Sequence, residues 1–324
     1  MTSVFDVLDQ PWIPVVRRDG SNGLMGIREV LRLAQELSEV SCASPLEEYS
    51  VYRFLGLFLM DAFRPETEDD LEEMLDAGEF DQEKIEDYIQ TCQEEGVSFN
   101  LFHEERPFLQ SPPVEGEGSP KAVANLDITL PSGNNHVHFT HLPDIPRVMR
   151  ADRAFRLMLT TYLFCTAGAQ KYPSGVYGAP PYFEVIKGNT LFDTLVYTLL
   201  PIQKIGIDFD TPPALWRRRT PIVPKAEIGQ TSWLHGMLFP TRRIRLVPDE
   251  NGMVSGVYLS QGENFVNKES WRDPYVIYYL KEEKKTDEKK LTLIRPKGDA
   301  AIWENLSDIV NVRGHQASIL QEQY

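Results

Sequence analysis

Apolar positions recur along this chain with two periods, and the switches between them mark out the elements. Residues 4–8 and 12–16 are short alternating runs separated by Gln10 and Pro11 and interrupted by Pro14. The pattern predicts two short strands in an N-terminal β-hairpin, with the prolines confining the pairing to an edge. From Ile27 the period becomes helical: Ile27, Val30, Leu31, Ala34 and Leu37 predict one helix over 27–37 with a single inward face. Ser44-Pro45-Leu46-Glu47 carries the chemistry of a helix start, with Ser as N-cap, Pro at the first helical position and Glu placed to close a capping box. The helix it opens is apolar nearly all round between 49 and 63, the pattern of a helix buried on every side.

Two polar helices are expected over 66–95, with Asp81 capping the second and Gly96 stopping it. Residues 101–110 form a compact aromatic segment, and 111–120, rich in Pro, Gly and Glu, reads as an exposed loop. A helix ending near Ala167 carries Arg147, Arg150, Arg153 and Arg156 at three-residue spacing; the stripe fits either a phosphate backbone or a solvated face. The Gly- and Pro-rich loop 167–181 follows, then a short helix over 191–200 and the basic cluster Trp216-Arg217-Arg218-Arg219, which suits phosphates or ordinary ion pairs. In the last third, strands over 242–247 and 254–259 flank Asn251-Gly252, a strong hairpin signal. Residues 275–280 and 291–294 are expected to pair across a charged loop, before a last helix capped by Asp299. The whole reads as an α+β fold: one large mixed domain with an N-terminal β-hairpin, a helical middle and a β-rich C-terminal third.

Charge sharpens this picture. Of the net −15, the segment 66–95 supplies −13, from 14 acids and Lys84, so the remainder sums to only −2. Such a body can carry a local basic patch, yet it lacks the counterion-release affinity of a stand-alone DNA binder, so partners must hold most of any nucleic acid it touches. No secretory signal or membrane-length apolar run is present, and the three widely spaced cysteines form neither a disulfide framework nor a zinc ribbon. The expected compartment is the cytoplasm, and membrane attachment is not expected.

Three of the six histidines fall between positions 136 and 141, after the turn-forming Pro131-Ser132-Gly133-Asn134-Asn135. If the stretch is extended, His136 and His138 share one face and Val137 and Phe139 the other. Two uses compete. Asn134, Asn135, Thr140 and His141 offer donors and acceptors to base edges, with Phe139 as an apolar or stacking contact. Alternatively, His136, His138 and His141 resemble the His-x-His-x-Asp-His zinc motif of the metallo-β-lactamase superfamily, with Thr140 in place of the aspartate and no obvious downstream ligand set beyond His235 and Asp208; that reading is a zinc-dependent hydrolase.

Several segments, in order along the whole chain, resemble the large subunit of the type I-E CRISPR surveillance complex Cascade, the CasA family. They are Asp9-Gln-Pro-Trp-Ile-Pro-Val, Glu105-Arg-Pro-Phe-Leu-Gln, Ser132-Gly-Asn-Asn, Leu191-Phe-Asp-Thr-Leu, Pro240-Thr-Arg-Arg-Ile-Arg-Leu, Trp271-Arg-Asp-Pro and Gln316-Ala-Ser-Ile-Leu. The resemblance implies a non-enzymatic antiviral-defence subunit without cofactor or metal. Such a subunit reads the protospacer-adjacent motif in the DNA minor groove, starts strand separation and helps recruit the helicase-nuclease. Its implied partners are the other Cascade subunits, CRISPR RNA, double-stranded target DNA and that effector.

By the same resemblance Phe139, Thr140 and His141 align with the loop that reaches the first base pairs, Ala167, Gly168 and Ala169 with the glycine loop, and Gln316 with the glutamine wedge. The family's glycine loop holds more glycine than this one. Lys268 is the lysine nearest before Trp271 and stands for the one that contacts the motif, although the family spacing falls on 260–262. Family members continue into a helical bundle, so residues 1–324 are expected to be the large-subunit N-terminal domain with the C-terminal helical bundle absent.

Overall fold

A computed structural model describes residues 4–112, 118–130, 148–165, 176–282 and 289–296. The N-terminal sheet has three strands, β1 (Ile13–Arg17), β2 (Asn22–Met25) and, after the helix α1 (Ile27–Arg32), β3 (Leu37–Val40), in the order β2-β1-β3. The hairpin therefore joins 13–17 to 22–25, not 4–8 to 12–16. Residues 4–8 instead lie against 99–101, through Val7 N–H donating to Phe99 O at 3.0 Å and Leu101 N–H to Phe5 O at 2.9 Å. Although β1 carries Pro14, it is the central strand. Pro14 lies one residue beyond the β1–β3 register, which ends at Val15 opposite Val40; there its carbonyl accepts from Ser41 N–H at 3.0 Å and its missing N–H leaves only one bond unmade.

The expected 27–37 helix is split. It ends at Arg32, passes through a 3-10 turn (Ala34–Glu36) and becomes β3. The cause is the β1–β3 ladder, in which Val16 faces Glu39 and Arg17 faces Leu37, so Ser38 is an extra residue. That bulge lets Leu37 and Val40 both reach the core, imitating a helical spacing of three.

The central helix α2 (Pro45–Phe63) matches its sequence pattern. Ser44 Oγ accepts from Glu47 N–H at 3.2 Å, Pro45 opens the first turn, and the helix is buried around its whole circumference from Ser50 to Asp61. Phe54 is its aromatic centre, with ring centroids 5.8 Å from Trp12, 6.1 Å from Phe108, 6.1 Å from Phe155 and 5.8 Å from Trp216. Four separate segments of chain thus meet on one side chain.

The acidic segment folds as α3 (Glu68–Ala77) and α4 (Gln82–Glu94), with Thr67 and Asp70 closing a capping box on the first and Asp81 accepting from Glu83 and Lys84 N–H on the second. Ile85, Tyr88, Ile89 and Cys92 turn inward from α4, leaving the carboxylates largely on the solvent side. Next come β4 (Lys121–Ala122), α5 (Ala151–Phe164), α6 (Leu191–Tyr197), β5 (Glu227–Ile228) and α7 (Trp233–Met237).

The hairpin around Asn251-Gly252 is formed by β6 (Arg242–Pro248) and β7 (Val254–Gln261), with β4 completing the sheet as β4-β7-β6. Residues 110–111 cover the far edge of β6: Ser111 N–H donates to Ile244 O at 2.9 Å and Gln110 Oε1 accepts from Leu246 N–H at 2.7 Å. A short strand β8 (Asn264–Phe265) pairs in parallel with β5, and β9 (Tyr278–Glu282) pairs with β10 (Lys289–Leu293). Among the described residues no helix is long and apolar enough to cross a membrane.

The three buried charges of α2 each take a partner from a distant segment. Glu47 accepts from Arg156 Nε of α5, whose Nη1 also donates to Trp12 O at 2.5 Å and Asp152 Oδ2 at 3.2 Å. Arg53 Nη2 donates to Asp273 Oδ2 at 2.6 Å, with its guanidinium carbon 4.5 Å from the Tyr275 ring centroid. Asp61 accepts from Tyr88 Oη at 2.7 Å and Arg217 Nη1 at 3.0 Å. Losing one member leaves a charge unpaired in the core, so Arg156→Met is expected to cost about 3–5 kcal/mol in urea unfolding, with part recovered by adding Glu47→Gln. An Arg156→Met variant as stable as wild type contradicts the clamp.

His235 adds a pH dependence. It is buried in α7, where Nδ1–H donates to Pro213 O at 3.1 Å and Nε2 faces Arg218 Nη1 at 3.4 Å, an arrangement that requires the neutral ring. Burial, reinforced by the Arg218 charge, pulls its pKa down to about 4. The unfolded chain takes up a proton near pH 6.5 that the folded chain refuses until about 4, so stability is lost as pH falls through that window. The loss should total about 3 kcal/mol. Melting followed from pH 7 to pH 4 should fall more steeply for wild type than for His235→Asn; parallel curves contradict the assignment.

Candidate nucleic-acid interface

Of the residues expected to meet DNA, only Lys268 lies among the described ones. Asn134, Asn135, Phe139, Thr140, His141, Ala167, Gly168, Ala169 and Gln316 lie outside them, as do His136 and His138 of the zinc reading. Among the described residues no group of three His, Cys, Asp or Glu is placed to hold a metal ion. His235, proposed as a further ligand, has both ring nitrogens occupied by Pro213 and Arg218.

Lys268 is exposed on the turn that follows β8. The turn is closed by Ser270 N–H donating to Asn267 O at 3.1 Å and tied to the chain near β5 by Ser270 Oγ donating to Gly229 O at 3.0 Å. One residue further, Trp271 lies flat on α7 over Gly236, where a Cβ would come within 2.2 Å of the indole Nε1; only glycine admits the ring. Asp273 then enters the core completely, accepting from Arg53, from Tyr177 Oη at 2.5 Å and from Tyr275 N–H at 2.9 Å. The Trp271-Arg-Asp-Pro segment is therefore an anchor, and Lys268 stands on the turn it holds.

A cleft of about 420 Å³ opens beside this turn, between Phe265, Trp271 and Tyr278 on one side and Val176, Leu293 and Arg295 on the other. Lys268 and Arg295 bring two cations to it, and Glu269 one carboxylate. A Cβ on Gly178 would lie 3.5 Å from Arg295 Nη2 and 3.9 Å from Lys268 Nζ, so two positive heads converge on one backbone position. Arg295 Nη2 donates to Tyr177 O at 2.7 Å and its Nε to Ala179 O at 3.0 Å. Val176 is the first described residue after the 166–175 stretch that includes Ala167, Gly168 and Ala169. Arg295 stands one residue before the last described position.

Most of the other basic candidates are paired with carboxylates, while Arg219 is exposed. Arg156 is buried on Glu47 and Asp152, while Arg150 and Arg153 pair with Asp152 at 2.8 Å and Asp127 at 3.4 Å; Arg147 lies outside the described residues. In the second cluster Arg217 joins Asp61 and Glu95, and Arg218 makes a two-pronged pair with Glu263 at 2.6 and 2.8 Å. For these arginines ion pairing, not phosphate, is the outcome. Sequence reading did not single out Arg295, because its contacts are made across 116 and 118 residues and its basic neighbours Lys289, Lys290 and Lys297 give no sign of them.

Comparison with known proteins fits this architecture. The CasA/Cse1 protein of Thermus thermophilus is 29% identical over 98% of the chain, and the chain spans 62% of its length. The solved Thermus thermophilus CasA (Cse1) structure matches with a TM-score of 0.74 at 26% identity, over 98% of this chain and 64% of that one. Acidimicrobium ferrooxidans Cse1 matches with 0.78 at 21% identity, over 98% and 63% of the two chains. A chain of a CRISPR RNA-guided surveillance complex shares the fold at 0.81 and 22% identity, over 98% and 68%. Residues 6–323 match the family of CRISPR-associated protein Cse1, and the chain belongs to that family.

Proposed function

We propose that the chain is the motif-reading, strand-opening subunit of a CRISPR RNA-guided surveillance complex of the Cascade type. It acts in the cytoplasm without catalysis or bound metal, beside the other subunits and CRISPR RNA, on double-stranded target DNA, and it helps recruit a helicase-nuclease. Family membership over residues 6–323 carries this reading. The cleft at Lys268 supports it, because a lysine on a firmly anchored turn is the kind of group that reads the acceptor-rich minor groove. That groove distinguishes mainly A·T from G·C, so a few polar contacts should accept several motifs.

In this reading Lys268 contacts the motif, Phe139, Thr140 and His141 reach the first base pairs, Asn134 and Asn135 offer donors and acceptors to base edges, and the backbone of Ala167, Gly168 and Ala169 lies close to the groove. Gln316 enters the gap left when a base step unstacks, an event that costs a few kcal/mol. Its stem is apolar enough to lie against bases, and its amide donates and accepts, so it replaces broken pairing without demanding one sequence.

In the assembled complex, Lys268→Ala should weaken binding to motif-bearing duplex by about 1–3 kcal/mol. Gln316→Ala should slow opening of intact duplex while leaving a target already unpaired beside the motif nearly unaffected. Equal loss on both targets, or none on either, rejects the wedge. Elemental analysis of the purified protein should find no stoichiometric zinc; one or two ions per chain, lost on His136→Ala, would favour the hydrolase instead.

A further inference from the structure

We propose that Tyr177 is the positioning residue for Lys268. Tied to Asp273 at its hydroxyl and to Arg295 at its carbonyl, it fixes the backbone at Gly178 over which the lysine head stands. The inference rests on the reading of Lys268 as a DNA contact.

A lysine side chain has many rotamers to lose, so an exposed one reads a groove selectively only where its surroundings limit where the ammonium goes. Around Lys268 those surroundings are the backbone at 177–179 and the carboxylate of Glu269, which lines the same cleft. Gly178 adopts φ +78°, a left-handed conformation that presents peptide groups with no side chain in the way. What sets the direction of that peptide is the residue before it.

Tyr177 is held at both ends. Its hydroxyl donates to Asp273 Oδ2 at 2.5 Å, and Asp273 is fully buried and itself held by Arg53 of α2. Burial, together with the Asp273 charge, keeps the Tyr177 hydroxyl protonated far above its ordinary pKa, so it remains a donor. Its carbonyl accepts from Arg295 Nη2, while Arg295 Nε takes Ala179 O. Arg295 thus occupies the carbonyls on either side of Gly178. Its charge also opposes the lysine folding back onto them, which directs the ammonium toward the cleft mouth. The line of contacts runs from the core of α2 through Asp273 and Tyr177 to the surface beneath Lys268.

Tyr177→Phe tests this with a small change. The ring keeps its places 5.2 Å from Phe183 and 6.3 Å from Trp271, and Asp273 keeps Arg53 and the Tyr275 N–H. In the complex assembled with its CRISPR RNA, affinities are measured for duplexes carrying and lacking a motif first selected from a randomised library. Discrimination should fall about fivefold, the net worth of one hydrogen bond, with little change in melting temperature. Adding Tyr177→Phe to Lys268→Ala should bring no further loss, because the two act through one contact. Arg295→Ala should behave as Tyr177→Phe does.

Additive losses in the double variant, or a fall in melting temperature with equal weakening on both duplexes, assign Tyr177 to the core alone and overturn the proposal. Unchanged discrimination in Tyr177→Phe, where Lys268→Ala abolishes it, also overturns it while leaving the Lys268 reading intact. If Lys268→Ala itself changes nothing, that reading falls and the inference with it.

Discussion

The structure depends on a helix buried on every side that nevertheless carries charge. A surface helix turns its ionised groups to water, but α2 has no such face, so Glu47, Arg53 and Asp61 must each find a counterion inside the protein. Glu47 draws in α5, Arg53 draws in the 273–278 segment with Tyr177, and Asp61 draws in α4 and the Trp216 region. A buried pair adds little net stability over a well-packed apolar pair, yet breaking one is expensive. The clamps therefore select which segments lie against which part of α2 more than they strengthen the core. Phe54, packed among four rings from the same surroundings, supplies the apolar driving force that the charges merely direct.

Where local chemistry decided the outcome, the sequence was a good guide. Ser44-Pro45 opened α2, Asp81 capped α4, and Asn251-Gly252 made the β6–β7 hairpin, all through contacts within a few residues. The α+β class followed from the same periodicities, and an N-terminal hairpin is present, although the partner of β1 in it is β2 and not residues 4–8. Errors arose where a distant partner overruled the local pattern. Residues 4–8 had an attractive neighbour in 12–16, but the 99–101 segment took their hydrogen bonds. The 27–37 periodicity ended at Arg32 because β1 offered Leu37 a ladder, and a bulge at Ser38 made two strand positions look helical. The parallel β5–β8 pair, two residues on each side, had no signal to find.

The arginines show the same limit in the site. For Arg156 and Arg217 the sequence left phosphate contact open beside a solvated face or an ordinary ion pair, and it could not decide because the carboxylates that take them up lie 109 and 156 residues away for Glu47 and Asp61. Burial of an arginine depends on such tertiary pairing and leaves no mark in its neighbours. Conversely, Lys268 was picked by its place before Trp271, and the reason that place matters is physical: the indole over Gly236 and the carboxylate of Asp273 fasten the turn that carries it.

Internal use of arginine also alters the meaning of the net charge of −15. Cations that pair inside the fold contribute little to the outer field, whereas the carboxylates of α3 and α4 mostly face solvent. Among the described residues the surface is then most acidic around α3 and α4, and Lys268 and Arg295 are local cationic points on other elements. For the proposed function that is an advantage. A reader that makes few phosphate contacts releases few counterions, so it adds little affinity for random duplex and leaves partner subunits to supply holding strength. Discrimination is a difference between affinities, and a small sequence-independent term lets one well-positioned contact decide it.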